Sequence, residues 1–206
     1  MRLREWRLGD RPVGAFDATS CLAIPNAPTA YYFALTLYDP GFKDRLGQWA
    51  QVEQVYNDPG RYGIFRAEPH ADLFKISSLN FGDLIGAHVL STIPASIEHG
   101  QSLNLTFGLQ ALHPVEQAYT LFVHLYQGTG AAVQLMSQTD QPICPTNPPQ
   151  SWRSDEMVIQ SYALPIPADL APGPYSVAFG IYDSATVTRL PIGSTNVAIV
   201  QNIDVK

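Results

Sequence analysis

The chain has 206 residues, is 46% hydrophobic and only 15% charged, and carries ten Tyr, nine Phe and three Trp. That much apolar surface beside so little charge excludes a disordered chain and supports a real core. Twelve basic against 18 acidic residues leave a net charge of −6; an acidic surface repels phosphate, which excludes nucleic acid and anionic membrane as leading partners.

Residues 1–11 mix Arg2, Arg4, Arg7 and Arg11 with Glu5 and Asp10, and no apolar stretch follows, so no secretory leader is read there. Residues 21–24 and 30–37 are apolar, β-prone runs. Asp39-Pro40-Gly41 is a turn, and behind it Phe42, Leu46 and Trp49 fall at i, i+4 and i+7, the spacing of a short amphipathic helix. Residues 51–56 and 62–66 read as a hairpin around Asp58-Pro59-Gly60. Strand, strand, helix, strand, strand makes a small α/β unit, thin enough that it is expected to pack on a neighbour.

The charge pattern breaks near residue 75. Residues 1–75 hold nine charges of each sign, whereas the rest hold three basic and nine acidic. The break divides the chain into the α/β unit, residues 1–75, and a β domain, residues 76–206. In the second part Leu103, Leu105, Phe107 and Leu109 alternate with small or polar residues. So do Tyr119, Leu121, Val123 and Leu125, and then Tyr175, Val177, Phe179 and Ile181. A period of two repeated in this way predicts half-buried antiparallel strands. Gly128-Thr129-Gly130 joins the second of these to residues 132–138 as a hairpin, and residues 157–163 and 197–205 add further strands. Pro165, Pro167, Pro172 and Pro174 form a rigid connection crossing between sheets. The expected fold is mainly β: an antiparallel two-sheet sandwich, immunoglobulin-like or jelly-roll, behind the α/β unit.

Catalytic motifs are missing. No GxxxxGK[ST], HExxH or GxSxG occurs. Cys21 and Cys144 are the only cysteines, with no CxxC pair. They can form a disulfide outside the cytoplasm, although nothing in the sequence places them together. A Cys144–His124–Asp140 nucleophilic set can be written, but Cys144 between Ile143 and Pro145 reads as a packed loop cysteine. His88, His99 and His113 lack ligand spacing, and Asp83, Asp140, Asp155, Glu156 and Asp183 read as turn acids, so no metal or other cofactor is expected. Trp152, Tyr126, Tyr162 and Tyr182 fall at strand ends or on outer faces. Flat rings there stack on the apolar faces of sugars, which makes these four the candidate glycan contacts.

Several stretches carry a family pattern: Tyr119-Thr-Leu-Phe-Val-His-Leu-Tyr126, then Pro145-Thr146 and Trp152, then Tyr162-Ala-Leu-Pro-Ile-Pro-Ala-Asp-Leu-Ala-Pro-Gly-Pro-Tyr175, and last Gly180-Ile-Tyr-Asp183 with Arg189-Leu-Pro191. In this order they resemble the C-terminal region of large bacterial membrane glycosyltransferases of the dolichyl-phosphate-mannose mannosyltransferase-like class, over residues 79–192. More weakly, residues 13–66 are similar to the soluble α/β segment behind the last membrane helix of such proteins. The chain departs from the pattern at Ile143-Cys144 and Ser154-Asp155. The resemblance implies an extracytoplasmic module whose partners are glycan or the membrane glycosyltransferase, with no membrane insertion of its own. It transfers no catalytic residue, because the family's chemistry lies in its membrane part. A purely structural protein-interaction sandwich and a hydrolase using loop carboxylates are the alternatives.

Overall fold

The computed structural model describes residues 16–75, 78–128 and 132–206, together with the backbone of two short paired strands, β1 (Trp6–Leu8) and β2 (Arg11–Val13). Much of the 1–11 reading, the hairpin tip at Thr129-Gly130 and two residues of the charge break, 76–77, fall outside the described residues. The elements that follow are β3 (Leu22–Pro25), β4 (Ala30–Ala34), α1 (Phe42–Gly47), β5 (Ala50–Asp58) and β6 (Tyr62–Pro69). Then come β7 (Leu79–Phe81), β8 (Ile85–Val89), β9 (Ser96–Ile97), β10 (Ser102–Ala111), β11 (Tyr119–Gln127), β12 (Gln134–Pro142), β13 (Glu156–Pro165), β14 (Gly173–Asp183) and β15 (Ala198–Val205). No helix among the described residues is long and apolar enough to cross a membrane.

Two five-stranded sheets face each other, one ordered β3-β13-β10-β8-β7 and the other β12-β11-β14-β15-β9. All pairings are antiparallel except β15 with β9. The expected alternation is realised: Leu103, Leu105, Phe107 and Leu109 of β10 meet Leu121, Val123 and Leu125 of β11 and Val177, Phe179 and Ile181 of β14 in one core. At its centre Phe107 lies 4.8 Å from Phe179 and 5.4 Å from Tyr162, each ring tilted or edge-on to the next. Such aromatic pairs add to the roughly 1.5–3 kcal/mol that burying each large apolar side chain contributes.

The strand order resolves the sandwich as immunoglobulin-like and not a jelly roll. β8, β10 and β13 lie in one sheet, and β12, β11, β14 and β15 in the other; the chain returns to the first between β12 and β13, and passes from the first to the second between β10 and β11 and again between β13 and β14. The second crossing ends in a tyrosine corner: Tyr175, near the start of β14, donates its hydroxyl to the Ala171 carbonyl at 2.7 Å. The proline-rich segment before it is the rigid crossover that its composition predicts.

Behind the β1–β2 pair, the first part keeps the expected order strand, strand, helix, strand, strand, but the first of these strands, β3, belongs to the sandwich. β3 pairs with β13 from Ile159↔Leu22 to Glu156↔Pro25, while β4, β6 and β5 form a separate three-stranded sheet. Alternation explains the shared use of β3. Cys21 and Ala23 point into the sandwich core. Leu22 and Ile24 point the other way, into a second core with Met157, Ile159, Phe42, Leu46, Phe65 and Tyr32. Helix α1 and the small sheet thus cover one outer face of the sandwich. The outer face of the opposite sheet carries the candidate site.

Candidate functional site

Along β11 the residues opposite the core side are Thr120, Phe122, His124 and Tyr126. The cross-strand partners of the last three on β14 are small: Phe122 faces Gly180, His124 faces Ala178 and Tyr126 faces Ser176, whereas Thr120 faces Tyr182. The large column therefore stands beside a low one. A Cβ at Gly180 would collide with the Phe122 ring and come within 2.9 Å of the Asn196 carbonyl, so glycine is required for this close approach.

The loop between β14 and β15 doubles back over this face. Leu190 N–H donates to the Ile181 carbonyl at 2.8 Å, and Gly82 N–H to the Pro191 carbonyl at 2.8 Å. The loop walls a groove of about 880 Å³ whose floor is Ser176, Ala178 and Ile199. Tyr126, Gly128 and Val133 form one side, and Arg189, Pro191 and residues 194–197 form the other. That volume lies within the range of small-ligand sites.

A polar chain borders the groove. The Tyr126 hydroxyl is 2.7 Å from His124 Nδ1. His124 Nε2 faces Asp140 Oδ1 at 3.8 Å, an electrostatic contact too long for a hydrogen bond. Tyr182 donates to Asp140 Oδ2 at 3.2 Å, and the Arg189 guanidinium lies 4.5 Å above the Phe122 ring. His124 is only 4% exposed. Burial holds its pKa below the ordinary value, Asp140 opposes that shift and Arg189 adds to it. A neutral ring then accepts the Tyr126 proton at Nδ1 and turns its Nε2–H toward Asp140. Burial likewise raises the Tyr182 phenol.

Of the four candidate sugar contacts, the structure brings two together. Tyr126 lines the groove and Tyr182 lies in the adjoining polar chain. Trp152 sits elsewhere, half-buried in the β12–β13 loop with its indole N–H donating to the Asn147 carbonyl at 2.6 Å. Tyr162 is a correction: it is 1% exposed, in the sandwich core and edge-on to Phe107, and offers no face to a ligand. β13 is apolar on both sides, so alternation did not reveal which face was outward.

Of the three-residue nucleophilic set, His124 and Asp140 meet, but Cys144 is bonded to Cys21 with Cα atoms 5.5 Å apart and is not a nucleophile. The turn acids have local roles: Asp83 bonds Asn80, Asp155 pairs Arg153, Asp183 accepts from Ala185 and Thr186, and Glu156 accepts from Arg153 N–H. Among the described residues no group of three His, Cys, Asp or Glu is placed to hold a metal ion, and no carboxylate lines the groove.

The sequence reading passed over one exposed feature. On the open face of the three-stranded sheet, Tyr31 and Phe33 are 60% and 63% exposed. Phe33 stacks on Tyr62 at 4.8 Å, and Tyr56 stacks on Tyr62 at 5.6 Å. Phe33, Tyr62 and Tyr56 thus turn ring faces toward one another. The alternation of Tyr31 and Phe33 with buried Tyr32 was the available signal, hidden because the whole run is apolar.

No family model matches the chain, and no curated protein matches it. Among solved structures it is similar to a Listeria innocua β-glucosidase in complex with gluconolactone, at 13% identity and a TM-score of 0.38, over 59% of this chain and only 16% of that one. It is also similar to a CARDB domain from Pyrococcus furiosus in complex with di-metal ions, at 14% identity and a TM-score of 0.35, over 66% and 98% of the two chains. A conjugative transposon lipoprotein from Bacteroides eggerthii aligns at 10% identity and a TM-score of 0.28, over 59% and 96%. Likeness at this level carries nothing about activity, ligand or partner.

Proposed function

We propose that this chain is a non-catalytic, extracytoplasmic immunoglobulin-like module that works with a membrane glycosyltransferase and contacts its glycan or acceptor. The observation that carries the proposal is the groove on the open sheet face, where Tyr126 and apolar floor residues stand beside the hydroxyls and amide of Ser176, Ser194, Thr195 and Asn196. Apolar patches for sugar C–H faces next to hydrogen-bonding groups for hydroxyls are what a saccharide needs. The Cys21–Cys144 disulfide supports an oxidising compartment. The link to a glycosyltransferase is supported by the motif order from Tyr119 to Pro191.

Titration of the labelled chain with cell-envelope oligosaccharides, followed by NMR, tests this reading. The expected result is a saturable shift of the Tyr126, Ser176 and Asn196 amides. No saturable change at millimolar sugar overturns the glycan contact.

A second reading is a protein-interaction module that binds no sugar. The exposed strip of Tyr31, Phe33 and Tyr56 favours it, because apolar strips of this kind mark contact surfaces. Under this reading, Phe33→Ser with Tyr56→Ser abolishes capture of the membrane glycosyltransferase, and sugar titrations stay flat.

A further inference from the structure

We propose that the groove takes an acidic saccharide, with a uronate carboxylate seated on Arg189; the inference rests on the glycan reading of the same groove. The first argument is charge. Residues 76–206 contain only three basic residues, Arg153, Arg189 and Lys206, against nine acidic ones. Arg153 is held by Asp155 through two hydrogen bonds of 2.9 and 2.6 Å. Arg189 is placed in the groove, where it is the one charged lining residue among the described residues. An acidic protein thus presents a lone cation where its ligand would lie.

The second argument is geometry. Among the described residues no carboxylate lies within ion-pair distance of Arg189, and its guanidinium donates no hydrogen bond to a protein acceptor. Asp140, the acid of the polar chain, is engaged by Tyr182 and faces His124. The Phe122 ring, 4.5 Å below, restrains the guanidinium. A restrained planar fork with its N–H groups open to the groove matches a planar carboxylate in bidentate fashion, which an ammonium would not. Ser194 and Asn196, on the same wall, are placed to take the hydroxyls of the same sugar. The net charge of −6 disfavours a densely charged polyanion. One carboxylate per bound sugar is the charge that Arg189 alone can match.

The test titrates the full chain with two probes, a tetrasaccharide bearing a single galacturonate and one bearing a single glucuronate, each as the carboxylate and as its methyl ester. The expected result for at least one probe is binding of the acid at least tenfold tighter than of its ester, with the preference weakening as salt rises. Arg189→Gln should remove that preference while ester binding persists, and Arg189→Lys should recover only part of it. A thermal melt of both variants confirms folding. Equal binding of acid and ester overturns the carboxylate inference and leaves the glycan reading standing. No binding of any form overturns both.

Discussion

Among the described residues two buried side chains, with three polar atoms between them, find no hydrogen-bond partner. The Tyr162 hydroxyl finds no hydrogen bond in the sandwich core, and neither ring nitrogen of His88 finds one. An unsatisfied buried hydroxyl costs about 1–3 kcal/mol of desolvation, so removing it while keeping the ring should not harm the fold. Tyr162→Phe is therefore expected to leave stability unchanged or raise it by about 1 kcal/mol, as read by urea unfolding. His88 is 5% exposed and close to the face of Gly108, where a Cβ would fall 2.8 Å from its Nε2. Burial lowers its pKa below the ordinary 6.5. The unfolded chain therefore takes up a proton near pH 6.5 that the folded chain refuses until lower pH. Stability is complete above that value and falls as the pH drops below it. His88→Leu should reduce the loss of Tm between pH 7.5 and 5.5, and an unchanged loss would assign the acid sensitivity to His124, which shifts in the same direction. The side chains were legible as types, but their partners were not. Tyr162 and Tyr126 both looked like strand aromatics, and only the opposing layers decided that one is core and the other lines a groove.

At the scale of elements, long strands with clean alternation were legible: β10, β11 and β14 lie where their period of two put them, and the Pro-rich crossover ends in the Tyr175 corner. β7, β8 and β9 were not anticipated, because two or three residues, or a run as small as Ile85-Gly-Ala-His-Val89, carry no readable period. The β12–β13 loop shows what long-range contacts add. Gln160 accepts from Cys144 N–H at 2.8 Å and donates to the Pro142 carbonyl at 3.2 Å, and the loop is bonded to Cys21, 123 residues away. Closing so long a loop restricts the unfolded chain strongly. Replacing both cysteines by serine should cost about 2–5 kcal/mol in chemical denaturation. It should also release Trp152, seen as a red-shifted emission. Unchanged emission would mean that Gln160 and the Asn147–Trp152 contact hold the loop without the bridge.

For the whole molecule, β3 is the strand that joins the two cores. It is an edge strand of the sandwich, yet Leu22 and Ile24 belong to the core that seats α1 and the small sheet. Cutting Ile24 back to alanine should cost about 2–5 kcal/mol, since its site is fully buried and cannot collapse easily. Because two cores share the strand, both should be lost in one transition. Calorimetry that resolves two transitions in Ile24→Ala would show that the layers unfold separately. The arrangement leaves two faces open at opposite sides, the groove over one sandwich sheet and the aromatic strip on the small sheet. By itself the sequence determined the mainly β class, the phase of the long strands, the crossover and the composition of the α/β part, because period and turn chemistry are local properties of the chain. Only the tertiary structure decided that Cys21 meets Cys144, that β3 leaves its own unit for the sandwich, and that Arg189 lies over Phe122 beside Gly180. Those are contacts between segments distant in sequence, and whether such segments meet depends on which faces the layers bury together.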